Sequence, residues 1–319
     1  MDRTASGIHH ITAITGDPEE NIWFYRGLLG LRIVKVTVNF DDPGSYHFYY
    51  GDGCGTPGTI ITFFAWPGAR RGRHGNGQVT STSFAIPRGS AQFWKDRLPA
   101  HGKVAPSVER FGEMVIPFFD KDGLDLELIE TDSIEVAAPT WAGSDIPTEC
   151  AIRGFHSATL SETGYELTAD LLISTMGFRL VGNDQNRFRY EVAAGGATRT
   201  VDLICAPGAA EGRVSAGTVH HIAWRTENDA QQLDWHRELR RIGYNVTPVM
   251  DRVYFHSIYY REPGGILFEI ATDPPGFTVD EPLDALGTAL TLPPWLEPHR
   301  DRIEATLPPL RSLHQGVPS

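Results

Sequence analysis

Two histidine pairs and one glutamate stand inside apolar, β-branched runs of this 319-residue chain. GIHHITAI carries His9 and His10, TVHHIAWRT carries His220 and His221, and REPGGILFEIAT carries Glu269. A buried imidazole or carboxylate must find a partner. A divalent metal would be such a partner. Two histidines and a carboxylate are the ligand set of the facial triad, which grips non-haem Fe(II) on one side and leaves the other open to substrate and oxygen. Alternate strand residues share a face, so Ile8, His10, Thr12 and Ile14 oppose His9, Ile11 and Ala13. Val219, His221 and Ala223 oppose His220, Ile222 and Trp224 in the same way. Only one histidine of each pair can therefore enter a given cup, and its neighbour is free to brace it or to reach substrate.

The elements that must position these residues form an internal repeat. Four strand-like openings recur, GIHHITAI at 7, VTSTSFAIP at 79, GFHSATL at 154 and TVHHIAWRT at 218. An amphipathic helical stretch follows each, from 18, 90, 164 and 228. The last is the clearest, with Leu233, His236, Leu239, Arg240 and Ile242 near helical spacing and Gly243 at its C-terminus. About three strands then complete each unit, as in RIVKVTVNF, YHFYYGD and GTIITFFAW. The second and fourth units also close alike, aligning Gly123 with Gly265 and Glu127 with Glu269. Ser83 and Ser157 stand in the second and third units where the first and fourth have His10 and His221, so only one pair of units can hold metal. A proline-rich stretch over 133–150 reads as a linker. The expected division is an N-terminal domain over 1–140, a C-terminal domain over 151–275, each of two modules, and a proline-rich tail over 276–319 with a short helix around His299 to Leu307.

A net charge of −12, from 40 acidic and 28 basic residues, argues against nucleic acid and anionic membranes as partners and in favour of a small molecule. Cys54, Cys150 and Cys205 have neither disulfide-framework nor metal spacing and read as free thiols in a reducing compartment. No leader-like or bilayer-spanning run is present in the sequence, so a cytoplasmic location is expected. A homo-oligomer is expected as well.

The fourfold strand, helix, three-strand repeat resembles the vicinal oxygen chelate superfamily, also called the glyoxalase/bleomycin-resistance/extradiol dioxygenase superfamily. More narrowly, GIHHITAI, TVHHIAWRT, REPGGILFEIATDPPGF and the tail segment LPPWLEPHR resemble the ring-cleaving dioxygenases that act on hydroquinones. The resemblance spans essentially the whole chain. It implies an α+β fold of four βαβββ modules paired into two domains, with the first and fourth modules making the metal cup and the second and third a metal-free counterpart. It implies Fe(II) held by His10, His221 and Glu269, although Mn(II) or Zn(II) could replace it in purified protein. Tyr259, His220 and Arg252 would be catalytic, and His9 and Thr12 would bind substrate. The expected partners are a small aromatic compound and O2.

The residues themselves qualify this picture. Arg252 and Tyr259 lie seven apart, on opposite faces of any uninterrupted strand, so Arg252 precedes the strand, a bulge intervenes, or one of the two is elsewhere. Tyr259 could donate to a metal-bound group, while Arg252 would orient substrate or stabilise anionic charge. A glyoxalase-like isomerase or lyase, or an epoxide-opening transferase, could use the fold with a Lewis-acid metal, but commonly needs a fourth ligand or a thiol, and GTIITFFAW offers no second glutamate. A non-catalytic binding protein has no need of an intact triad. His47, His74, His101, His236, His256 and His299 read as surface or satisfied core residues, and RRGRHGNG at 70 as a mobile basic loop.

Overall fold

The computed structural model describes residues 4–100, 103–132 and 141–313, so His101 and the 133–140 part of the expected linker lie outside the described residues. The four openings are strands Ile8–Thr15, Gln78–Pro87, Phe155–Glu162 and Val219–Thr226. Helices begin at Pro18, Ala91, Glu166 and Asp229 after them. The first has its N-terminus closed by Asp17, whose carboxylate accepts from the backbone N–H groups of Glu19 and Glu20. The architecture is α+β, with two curled sheets.

Each sheet takes one module from each half of the chain. Strands of the first and fourth modules make an eight-stranded sheet, and strands of the second and third make a nine-stranded one. At the centre of each, two opening strands run antiparallel. Thr12 lies opposite His221 and His10 opposite Ala223 in one sheet, while Thr159 lies opposite Ser81 and Ser157 opposite Ser83 in the other. These registers put Ser157 in the place of His10, as expected, but Ser81 rather than Ser83 in the place of His221. Gly77 and Gly217 explain the correction. They take matching positive φ values of 76° and 79° at the turns entering their strands, so the count starts from them and the serine alignment slips by two residues, one pleat. The closing strands run parallel to the opening ones and set Glu269 beside Ala223, Glu127 beside Ser83, Thr62 beside Thr12 and Asp202 beside Thr159.

The helix Asp229–Arg241 buries Gln232, Trp235 and Leu239, while Leu233 and Ile242, expected on its apolar face, are 46% and 38% exposed. Burying Trp235 and Leu239 is worth about 1.5–3 kcal/mol each. Gln232 explains why the apolar count picked the wrong stripe: its amide donates to the carbonyls of Ile270, at 2.8 Å, and His256, at 2.6 Å, clamping this helix to the strand that carries Glu269. Asn228 closes the helix N-terminus, and Gly243 follows its end with φ +101°.

The segment at 70–77 is a second correction. It is an ordered crossing that bridges Arg71 to Ala216, Arg73 to Arg213 and Asn76 to Glu211, the matching connector of the other half. Gly72 and Gly75 permit that approach, because a Cβ at Gly75 would lie 2.2 Å from the Ala210 carbonyl oxygen. The tail after Phe277 packs on the first module, where Lys35, fully buried, is ion-paired with Asp280 and Glu281. It includes the helix Arg300–Thr306. Among the described residues no helix is long and apolar enough to cross a membrane, and the three cysteines are free.

Candidate metal centre

His10 and His221 come from the two central strands of the eight-stranded sheet, and Glu269 from the closing strand beside one of them. All three are buried. His221 Nε2 lies 3.0 Å and His10 Nε2 3.3 Å from Glu269 Oε2, and the two nitrogens are 3.4 Å apart. Donors on one face of a small ion, with bonds of about 2.1 Å, stand about 3.0–3.4 Å from one another. The spacing fits.

The protons can be placed by following the hydrogen bonds outward. His9 Nε2 lies 3.1 Å from the carbonyl oxygen of Thr272, which can only accept, so Nε2 carries the proton. Burial, then the neighbouring His10, holds His9 well below the ordinary histidine range, so the ring is neutral and its Nδ1 is an acceptor. His10 Nδ1, 2.9 Å away, must then be the donor, which leaves His10 Nε2 a bare lone pair pointing at Glu269. The second pair repeats the ring contact, with His220 Nδ1 2.8 Å from His221 Nδ1, but among the described residues no carbonyl fixes the His220 proton as Thr272 fixes that of His9. Burial and His221 bring His220 down to about 3, and burial also lowers His221. On the carboxylate, Oε1 accepts from Ser257 Oγ at 2.5 Å, while Oε2 has no hydrogen-bond partner among the described residues. Lone pairs on buried imidazole nitrogens and a carboxylate oxygen thus converge, and a cation is what satisfies them.

Around this point lies a cavity of about 30 Å³ bordered by Thr12, His47, Phe64, Arg252, Phe255 and Tyr259, besides the two histidines. It is smaller than the roughly 150 Å³ that accommodates benzene in an apolar protein core. Arg252 and the exposed Asp41 stand at its edge. Arg252 Nη2 donates to Asp41 Oδ2 at 3.0 Å across the mouth, and its Nε lies 3.3 Å from the Tyr259 hydroxyl. The face problem is resolved because Arg252 precedes the strand Phe255–Arg261 and folds back over it through a tight turn with Val253 at φ +69°. Tyr259 is half-buried, and desolvation with the Glu269 charge pushes its phenol up, so it stays protonated.

Thr12 lines the cavity, whereas His9 stands behind His10 and braces it. His220 borders a separate cavity of about 230 Å³ with Trp66, Val79, Val219, Arg261 and Leu267, and His221 borders both. His47 corrects its expected assignment as a surface or satisfied core residue. It faces the metal-side cavity, with Nε2 2.8 Å from Thr62 Oγ1, which lies 2.8 Å from Thr12 Oγ1. The strand YHFYY hid it, since its facing partner Thr62 is 15 residues on. Ser257 shares strand parity with Tyr259, but its bond to Glu269 joins strands and is invisible in the sequence.

The glyoxalase/bleomycin resistance protein/dioxygenase superfamily matches residues 7–128 and 156–270. The chain is 51% identical over 309 residues, covering 97% of it and 98% of the relative, to MhqO of Bacillus subtilis (strain 168), a protein provisionally named a ring-cleaving dioxygenase. It is 33% identical to the chlorohydroquinone/hydroquinone 1,2-dioxygenase of Sphingobium indicum, over 96% of this chain and 97% of that one. A crystal structure provisionally described as a dioxygenase, from Bacillus subtilis, superposes with TM-score 0.92 at 50% identity, covering 97% of this chain and 99% of that one. Glyoxalase I of Zea mays shares the fold alone, with TM-score 0.62 at 11% identity over 84% of this chain and 92% of that one. The chain belongs to the glyoxalase/bleomycin resistance protein/dioxygenase superfamily.

Proposed function

We propose that this protein is an Fe(II)-dependent ring-cleaving dioxygenase that acts on a hydroquinone or related phenol with O2. The observation that carries the reading is the convergence of His10, His221 and Glu269 with Glu269 Oε2 left unpartnered in a buried cup. When bound, Fe(II) supplies the redox chemistry that lets O2 react with an electron-rich ring. The chain supplies the rest. His9 holds the His10 imidazole in one tautomer, His220 braces the His221 ring, and Ser257 holds the carboxylate with a single oxygen toward the metal. Tyr259 keeps its proton and can donate to an oxygen of the substrate, while Arg252, permanently charged, steadies a phenolate and closes the mouth with Asp41. A glyoxalase-like reaction has less to work with, because Thr62 occupies the place in the first module that Glu269 holds in the fourth.

The names of the relatives agree with a ring-cleaving reaction and one of them with a hydroquinone. A cytoplasmic setting suits the three free thiols. The test is anaerobic purification followed by metal analysis and oxygen uptake with a panel of hydroquinones and catechols. The expected result is about one Fe(II) per chain, uptake with a hydroquinone, and a product heavier by two oxygen atoms. Full zinc occupancy with isomerase activity and no uptake with any phenol would overturn the proposal.

A further inference from the structure

Some polar groups of the cavity are already committed to one another, whereas the Tyr49 hydroxyl and one nitrogen of His47 have no hydrogen bond within the described residues. Arg252 is engaged by Asp41 and Tyr259, and Thr12 by Thr62. Asn39 belongs to the turn bearing Asp41, and its side-chain oxygen accepts from the Asp41 N–H at 3.0 Å. His47 differs from all of these. Its Nε2 is anchored on Thr62, while no hydrogen bond within the described residues engages Nδ1. The ring is clamped between Tyr49 and Phe64, with centroids 4.1 and 4.4 Å away. It stands on the strand Asp42–Gly51, paired to Ile60–Ala65, so the sheet fixes its place.

We propose that His47 Nδ1 binds the hydroxyl group of the substrate that lies across the ring from the metal, and that this contact makes the cup select para-diols over simple phenols. The inference rests on the dioxygenase reading and names the specificity residue of that site. A catechol can bring both hydroxyls to one ion, whereas a hydroquinone brings one and presents the other at the far side of the ring. That second hydroxyl can either donate to a bare imidazole nitrogen or accept from a protonated one, so a neutral imidazole serves in either tautomer. Packing between two aromatic rings fixes its direction, which lets it discriminate as well as bind. Nothing in YHFYY marks the residue for this work.

The experiment compares anaerobic binding of hydroquinone, phenol and catechol to Fe(II)-loaded wild type and His47→Phe by calorimetry, with metal content measured on each. Phenylalanine keeps an aromatic ring between Tyr49 and Phe64 and removes both nitrogens. Wild type is expected to prefer hydroquinone over phenol by about tenfold, the size of one hydrogen bond. The variant is expected to lose that preference, retain its iron, and leave the catechol-to-phenol ratio where it was. Thr62→Val, which frees the imidazole to turn, gives a second reading and should lower the same preference in part. A His47→Phe protein that holds iron and still prefers hydroquinone overturns the proposal, as does a wild type without the preference. Failure of the dioxygenase reading is separate, since it would appear as wild type that takes up no oxygen with any phenol.

Discussion

The two sheets present the same backbone frame with opposite solutions to a buried carboxylate. In the eight-stranded sheet Glu269 faces His10 and His221, and no lysine or arginine among the described residues is ion-paired with it. In the nine-stranded sheet the matching Glu127 is gripped on both oxygens by Arg110, at 2.9 Å each, and Ser83 donates to it as well. Asp202, where the first cup has Thr62, is met by Arg187 and Arg189, and Arg189 also reaches Glu113, which pairs with His156. Serines 81 and 157 replace the ligand histidines. One cup is closed by cations that the chain supplies. In the other, Arg252 turns to Asp41 and Tyr259 rather than to Glu269 and lone pairs are presented instead, which is the difference between a structural ion-pair network and a metal site.

The largest expected effects divide the cups by metal content. His10→Ala, His221→Ala and Glu269→Gln each remove one of three anchors and should take Fe(II) from about one per chain to background while circular dichroism stays near wild type. Ser81→Ala and Ser157→Ala should leave metal content unchanged. Metal loss in either serine variant would break the assignment of cups.

Arg110→Ala probes the other side of the comparison. It strands Glu127 in a buried setting and should lower the unfolding free energy by about 3–5 kcal/mol with metal content unaltered. Joint replacement of Arg110 and Glu127 by leucine should recover most of that loss in a denaturant titration, whereas a wild-type midpoint in Arg110→Ala alone would show the pair to be idle.

A smaller effect should appear at acid pH. Burial alone raises the Glu113 carboxyl, but His156 and Arg189 prevail and bring it down from 4.5 to about 2. A depressed folded value means that the stabilisation is complete above the ordinary 4.5 and is lost as pH falls through about 2. Glu113→Gln should therefore cost on the order of 1–2 kcal/mol near neutrality and flatten the acid limb of a stability profile. An unchanged acid limb would remove Glu113 from the account of how the second cup is held.

Much of the architecture was legible because periodicity and repetition are local. The opening strands, the following helices and the likeness of Glu127 to Glu269 follow from alternation, helical spacing and glycine placement, all of which act within a few residues. The same local chemistry singled out two histidine pairs and one glutamate as groups too polar for their surroundings. It could not say which pleat of the second module matched His221, because a register is a property of two paired strands and slips by two residues without changing face.

What tertiary structure alone decided is which polar groups meet. Gln232 is buried on its helix because two backbone carbonyls face it, and Arg252 reaches Tyr259 because a turn folds it back. His47 enters the cavity because Thr62 and Thr12, on other strands, hold one of its nitrogens. The tautomer of His10 is set from Thr272, 263 residues away from His9 in the chain. Sequence determines the kind of chemistry through residue type, but the direction of a lone pair depends on hydrogen bonds between distant segments, and these exist only once the sheets have closed.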